Sequence, residues 1–143
     1  MTNVPKLYTA RCHCERVKIQ FEAHIDKVWN CNCSYCRVRD GHWIYLPMPG
    51  VTFLKGKALL KEYSFNTHSS RNLFCRICSI HMICVPRVFP EKYSVRVECI
   101  SDFDMNSIQG RIHTFDGLNW EDNAEALREI EGNSKLIAQA EGV

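Results

Sequence analysis

Seven of the nine cysteines fall into three tight clusters, Cys12-His-Cys14, Cys31-Asn-Cys33-Ser-Tyr-Cys36 and Cys75-Arg-Ile-Cys78. This grouping restricts what the chain can fold into, because closely spaced thiolates are how a polypeptide chelates zinc. A tetrahedral zinc with Zn–S bonds of about 2.3 Å holds its sulfurs roughly 3.8 Å apart. Cysteines two or three residues apart converge to that distance at little loop-closure cost. Four thiolates close one structural site, and the three left over make a second site with an open position, where chemistry can occur.

A disulfide framework is the competing reading. Nine is an odd number, so one thiol would stay unpaired. Neighbours in a Cys-x-Cys pair rarely bond to each other, given the Cα separation and Cβ directions a disulfide needs. Met1 to Ala10 has no apolar signal-peptide core. The expected setting is therefore a reducing, intracellular compartment, cytoplasmic or nuclear, where this spacing favours metal binding. Cys84 and Cys99 lie in apolar stretches and read as small buried hydrophobes.

A chain of 143 residues fits one domain. Eighteen basic against sixteen acidic residues leave a net charge of +2, too balanced to argue for nucleic acid or a membrane surface. No apolar run approaches the roughly 20 residues of a membrane helix. No direct nucleic-acid or membrane contact is expected, while a protein partner stays open.

Most of the chain reads as strands. Val17, Ile19 and Phe21 alternate with Lys18, Gln20 and Glu22, the period of a half-buried strand. Leu7 to Ala10 reads as its hairpin partner, with Cys12 to Arg16 as the turn. Trp43 to Leu46 is a short strand stopped by Pro47 and Pro49. Val51 to Leu54, Leu59 to Phe65, Asn72 to Phe74 and Tyr93 to Ile100 complete the set. Helical spacing occurs only near the C-terminus, at Ala124, Leu127 and Ile130. Asp116 or Asn119 is the expected cap of that helix, Gly132 its stop, and a mobile tail is expected beyond.

The economical metal assignment joins the two clusters at hairpin ends. Cys12, Cys14, Cys75 and Cys78 then form a closed four-thiolate site. Cys31, Cys33 and Cys36 form the second, a compact chelate within six residues. Spacing alone leaves that second site either open or closed by a fourth ligand, for which His13, His42, His68, His81, Cys84 and Cys99 are available.

The chain carries, in order, Cys12-His-Cys-Glu15, Cys31-Asn-Cys-Ser-Tyr-Cys-Arg37, Tyr63-Ser-Phe-Asn-Thr67, Phe74-Cys-Arg-Ile-Cys78, His81, Pro86-Arg87 and Phe115-Asp-Gly-Leu-Asn-Trp-Glu121. These ordered motifs resemble the GFA family, whose namesakes are the glutathione-dependent formaldehyde-activating enzyme and centromere protein V. The resemblance implies a mainly β fold, a β-tent of small antiparallel sheets around two zinc sites with a short C-terminal helix. It implies one zinc-binding domain over residues 1–143, with a core at about 7–121. It makes Cys12, Cys14, Cys75 and Cys78 structural zinc ligands and Cys31, Cys33 and Cys36 ligands of a catalytic zinc, giving two Zn2+ per chain. The chain departs from the pattern in one region: Ser79 replaces a usual glycine, Asn72 a common histidine, and Met82 to Val85 a stretch usually containing Pro, aromatic and Arg residues.

The implied activity is that of a zinc-dependent carbon–sulfur lyase on a thiol or hemithioacetal such as S-hydroxymethylglutathione. Three thiolates leave a divalent site formally −1, which suits exchange of a soft sulfur ligand. Arg37 and Arg39 adjoin the triplet and could hold a carboxylate of a glutathione-like substrate. Solvated surface arginines are the plainer alternative. His81 could transfer a proton or support a ligand, although a structural histidine fits as well. Tyr35 and Trp43 could line a pocket, although aromatics on short strands are more often core, and Phe115 and Trp120 are expected to pack the C-terminal segment onto the sheet. The alternative function is a non-catalytic, zinc-stabilised interaction module of the centromere protein V type.

Overall fold

The computed structural model describes residues 5–132. Alternation in the first strand pair has the expected consequence: β1 (Lys6–Arg11) and β2 (Lys18–Ala23) form an antiparallel hairpin. The hairpin is extended by β5 (Val51–Lys55) into a three-stranded sheet. The larger sheet has seven strands in the order β10-β3-β4-β9-β8-β7-β6. These are β3 (Val28–Cys31), β4 (Trp43–Pro47), β6 (Leu60–Tyr63), β7 (Arg71–Cys75), β8 (His81–Val85), β9 (Lys92–Arg96) and β10 (Ile112–Phe115). Among the described residues there are also two α-helices, α1 (Ser34–Arg39) and α2 (Trp120–Gly132). The mainly β architecture with a short C-terminal helix is as expected, with one parallel pair, β10 against β3, among otherwise antiparallel neighbours.

The two faces of the large sheet do different work. Ile44 and Leu46 of β4, Ile83 of β8 and Val95 of β9 pack with Ile19, Phe21 and Val51 of the small sheet in the main core. The opposite parity of the same strands puts Asn72, Cys84, Ser94 and Tyr45 in one cross-strand row. Side chains alternate between the faces of a strand, so that row belongs to the other side of the sheet. There Tyr45 joins Trp29, Phe89, Phe115, Ala124 and Leu127 in a second apolar cluster, with Trp120 packed against it. This is the packing expected of Phe115 and Trp120.

Several expectations are corrected. The strand expected to run from Tyr93 to Ile100 ends at Arg96, and Val97–Cys99 forms a 3-10 turn. That turn carries Ile100 to a bridge with Ala10, at the edge of the small sheet. The short helix α1 was not expected: it buries no residue and so shows no apolar periodicity. Asp116 does not cap α2 but heads a 3-10 turn at Gly117–Asn119. Its carboxylate accepts from the side chains of Asn32 and Asn119 instead. Ile130 of α2 faces solvent, and Glu131 takes the buried position beside Ala124 and Leu127. The tail expected beyond Gly132 lies outside the described residues.

Glu131 is 2% exposed and accepts a 2.6 Å hydrogen bond from Trp29 Nε1, tying α2 to β3. Burial raises its pKa, against the opposing pull of Trp29 and Lys27. The folded carboxyl therefore keeps its proton to higher pH than the unfolded one. Folding takes up a proton across that interval, so stability falls as pH rises from the ordinary glutamate value through the raised one. Glu131→Gln keeps an acceptor for Trp29 and removes the titration. Its melting temperature should decline less than the wild type's over that interval in a pH series of thermal melts.

Candidate functional site

Two turns of similar design build the first cysteine cluster. After β1, the Cys12 amide donates to Val17 O at 3.2 Å and the Glu15 amide to Cys12 O at 3.1 Å. After β7, the Cys75 amide donates to Ile80 O at 3.1 Å and the Ser79 amide to Cys75 O at 2.7 Å. Each turn needs a left-handed residue, Glu15 at φ 64° and Ser79 at φ 63°. Ser79 thus retains the backbone conformation that glycine adopts without steric penalty, at a cost of roughly 1–2 kcal/mol. Both turns point amides at sulfur: Val17 N to Cys12 Sγ at 3.4 Å and Ile77 N to Cys75 Sγ at 3.3 Å.

The sulfurs of Cys12, Cys14, Cys75 and Cys78 lie within 4.8 Å of one another. The Cys12–Cys14 and Cys14–Cys75 separations are 3.6 and 3.7 Å. These approach the roughly 3.8 Å edge of a sulfur tetrahedron around zinc. Cys12 and Cys75 are fully buried. Burial pushes the Cys12 thiol up to about 11, while the Arg16 backbone amide helps bring Cys14 down to about 6.

The second cluster sits where β3 runs into α1. Cys31 ends the strand, Cys33 caps the helix by accepting from Cys36 N at 3.4 Å, and Cys36 follows within it. Their sulfurs also lie within 4.8 Å of one another. The Cys31 and Cys36 thiols hydrogen-bonded to Cys33 draw its pKa down to about 2, and Cys36 is pushed up in return. Three thiols sharing protons around one sulfur suit a cation, since coordination deprotonates a thiol outright.

The segment after β10 supports this cluster from behind. Asn32 N donates to Phe115 O at 3.3 Å, Asn32 Nδ2 to Asp116 Oδ1 at 3.0 Å, and Leu118 N to Asn32 Oδ1 at 3.1 Å. Gly117 lies so close that a Cβ there would be 2.6 Å from Cys31 Sγ and 2.9 Å from Cys33 Cβ. The Phe-Asp-Gly signature therefore has a steric basis, which sequence reading alone did not supply.

Cys31, Cys33 and Cys36 line a cavity of about 330 Å³, and none of the first cluster's cysteines does. Trp43 and Tyr45 line it from the sheet, Phe65 and Thr67 from the loop between β6 and β7, and Arg87 and Trp120 from the opposite side. Arg87 stacks 3.6 Å from the Trp120 ring and bridges to Glu121 at 3.0 Å.

The structure separates the residues that sequence grouped together. Arg39 reaches the cavity, whereas Arg37 is exposed and lies outside its lining. Two residues on a helix are about 200° apart, so α1 can aim only one of them inward. Tyr35 and Trp43 both line the cavity, although a core role is the commoner one for aromatics on short strands. His81 lies behind Tyr35, whose hydroxyl is 2.8 Å from Nε2 and 3.0 Å from Nδ1. Burial, then the charges of Arg39 and Arg96, lower the His81 pKa to about 4, so the ring is neutral at pH 7. None of the residues available as a fourth ligand joins the three-thiol group. Cys84 faces the cavity, His42 pairs with Glu98, His68 bonds Ser64, and Cys99 packs in the main core. Asn72 and the Tyr63–Thr67 motif enter the site through their strand and loop positions, which spacing along the chain does not reveal.

This defines a class of β protein built around two cysteine clusters able to hold metal ions, one of them facing a cavity. The chain belongs to the glutathione-dependent formaldehyde-activating enzyme (GFA) family, whose model matches residues 7–117. A crystal structure of a Rhodobacter sphaeroides protein is similar, with a TM-score of 0.68 and 27% sequence identity. The match covers 74% of this chain and 98% of that one. Among the described residues, no helix is long and apolar enough to cross a membrane.

The clusters should respond differently to mutation. A structural zinc contributes roughly 10–16 kcal/mol to folding, so if the first cluster holds one, Cys75→Ser should abolish the cooperative melt or lower it sharply. Cys33→Ser should lower the melt far less, because the triplet lines a cavity and none of its cysteines is fully buried. Thermal melts beside elemental analysis would check both. In protein loaded with metal, Gly117→Ala should leave binding at the first cluster unchanged and weaken binding at the triplet by about tenfold or more, read by chelator competition.

Proposed function

We propose that this chain is a zinc-dependent carbon–sulfur lyase acting on a hemithioacetal such as S-hydroxymethylglutathione. The observation that carries the reading is the partition of sulfur: four thiols clustered away from the cavity, three lining it. Cys12, Cys14, Cys75 and Cys78 would hold a structural Zn2+, and Cys31, Cys33 and Cys36 a second. When bound, the second ion supplies Lewis acidity and an exchangeable position suited to a soft sulfur ligand.

The rest of the chemistry belongs to the chain. Trp43, Tyr45 and Trp120 give the cavity apolar walls that exclude water, which strengthens electrostatic interactions inside. Arg39 and Arg87 bring positive charge to a cavity whose proposed ligand carries carboxylates. The Tyr35 hydroxyl holds a proton at the wall, backed by the neutral His81 ring. In the condensing direction the sulfur bonds to the formaldehyde carbon as the carbonyl π bond opens onto oxygen, and the proton lost from the thiol ends on that hydroxymethyl oxygen. In the lyase direction that carbon–sulfur bond breaks and the proton returns to sulfur.

The test is the formaldehyde–glutathione condensation, followed against its spontaneous rate with metal-replete protein. Acceleration is expected, and Cys33→Ser should reduce it at least about a hundredfold while the first cluster keeps its ion. No acceleration from protein holding two ions would overturn the lyase reading and favour a zinc-stabilised interaction module.

A further inference from the structure

We infer that Arg39 is a positioning residue for the three-thiol cluster, supplying the counter-charge that lets it hold a divalent ion and still admit an anionic sulfur. The inference rests on the zinc assignment proposed above, though not on the lyase activity.

Arg39 Nη2 donates to Cys36 Sγ at 3.0 Å, one helical turn back on α1. Nη1 donates to Asn72 Oδ1 at 3.3 Å. Asn72 is only 4% exposed and is itself anchored through Nδ2 to Tyr63 O at 3.1 Å. The guanidinium lies 4.2 Å from the Trp43 ring and 4.8 Å from the Tyr35 ring. Aromatic faces, a buried amide and a sulfur therefore fix it from several sides. Arg39 Nε is buried without a hydrogen-bond partner.

A largely desolvated guanidinium needs an anion nearby. Among the described residues, no carboxylate forms an ion pair with Arg39. The group it touches is the Cys36 sulfur, which becomes a thiolate when a metal is coordinated. Three thiolates around a divalent ion carry a formal charge of −1, and Arg39 brings the total to zero. A thiolate entering the cavity then raises the charge to −1 instead of −2. Two of its five N–H donors are committed in this way, one of them to a sulfur of the cluster. Its geometry is that of a donor to the cluster.

Arg39→Met keeps much of the side chain's length and apolar contact but removes charge and donors, whereas Arg39→Lys keeps the charge. Zinc affinity at each cluster would be read by competition with a chromophoric chelator. Glutathione would be titrated into cobalt-loaded protein, following the sulfur-to-cobalt charge-transfer band. Arg39→Met should weaken the triplet about 10–100-fold and leave the four-thiol cluster unchanged. It should also move the glutathione midpoint to higher concentration, and Arg39→Lys should recover part of both losses. Wild-type zinc affinities and glutathione midpoint in Arg39→Met would overturn the inference while leaving the zinc assignment intact. Parallel weakening of both clusters would overturn it as well, reducing Arg39 to a packing role. A wild-type protein holding a single ion would remove the zinc assignment and this inference with it.

Discussion

Four sulfurs brought within 4.8 Å of one another join the turn after β1 to the turn after β7. The first hairpin belongs to the small sheet and β7 to the large one, so an ion held at this junction would fasten the two sheets at one end. The main apolar core fastens them along their facing surfaces. Once one face of the large sheet is committed to that core, strand alternation commits the other face to a different use. The cavity is what the second face builds.

The three-thiol cluster depends on that arrangement at one remove. Cys31 is held at the end of β3, and β10 runs parallel beside it with Phe115 opposite Cys31. Asn32 and Asp116 lock the following segments together, and Gly117 allows the backbone to close on the sulfurs. A single wall of the cavity thus combines the triplet with the helix that carries Arg39. The closed cluster resembles a structural tie, whereas the triplet lies where a small molecule can reach it.

Much of this was legible in the sequence because chelation is local. Cysteines two or three residues apart announce a shared site before any fold is known, and seven of them divide naturally into four and three. Strands with one buried face were equally legible, as with Val17, Ile19 and Phe21. Elements without such contrast were not. In β8, Met82 to Val85 are all buried, so no alternation marks the strand. In β10 only Phe115 is buried, and the strand reads as loop. Helix α1 buries nothing and spans six residues, too short to be stable by propensity. Without that helix, Arg37 and Arg39 could not be told apart. In α2 both Ile130 and Glu131 satisfy helical spacing from Leu127, and hydrophobicity favoured Ile130. The Trp29 indole reverses the choice by giving the buried carboxylate a donor.

The central claim is that sulfur is divided unequally between two ions, four around one and three around the other. X-ray absorption at the zinc edge, on metal-replete protein free of added thiol, measures this directly. Seven zinc–sulfur bonds at about 2.3 Å shared over two ions, with the remaining position filled by a lighter atom, is the predicted result. Eight sulfurs over two ions, or a single ion bound by four, would contradict it.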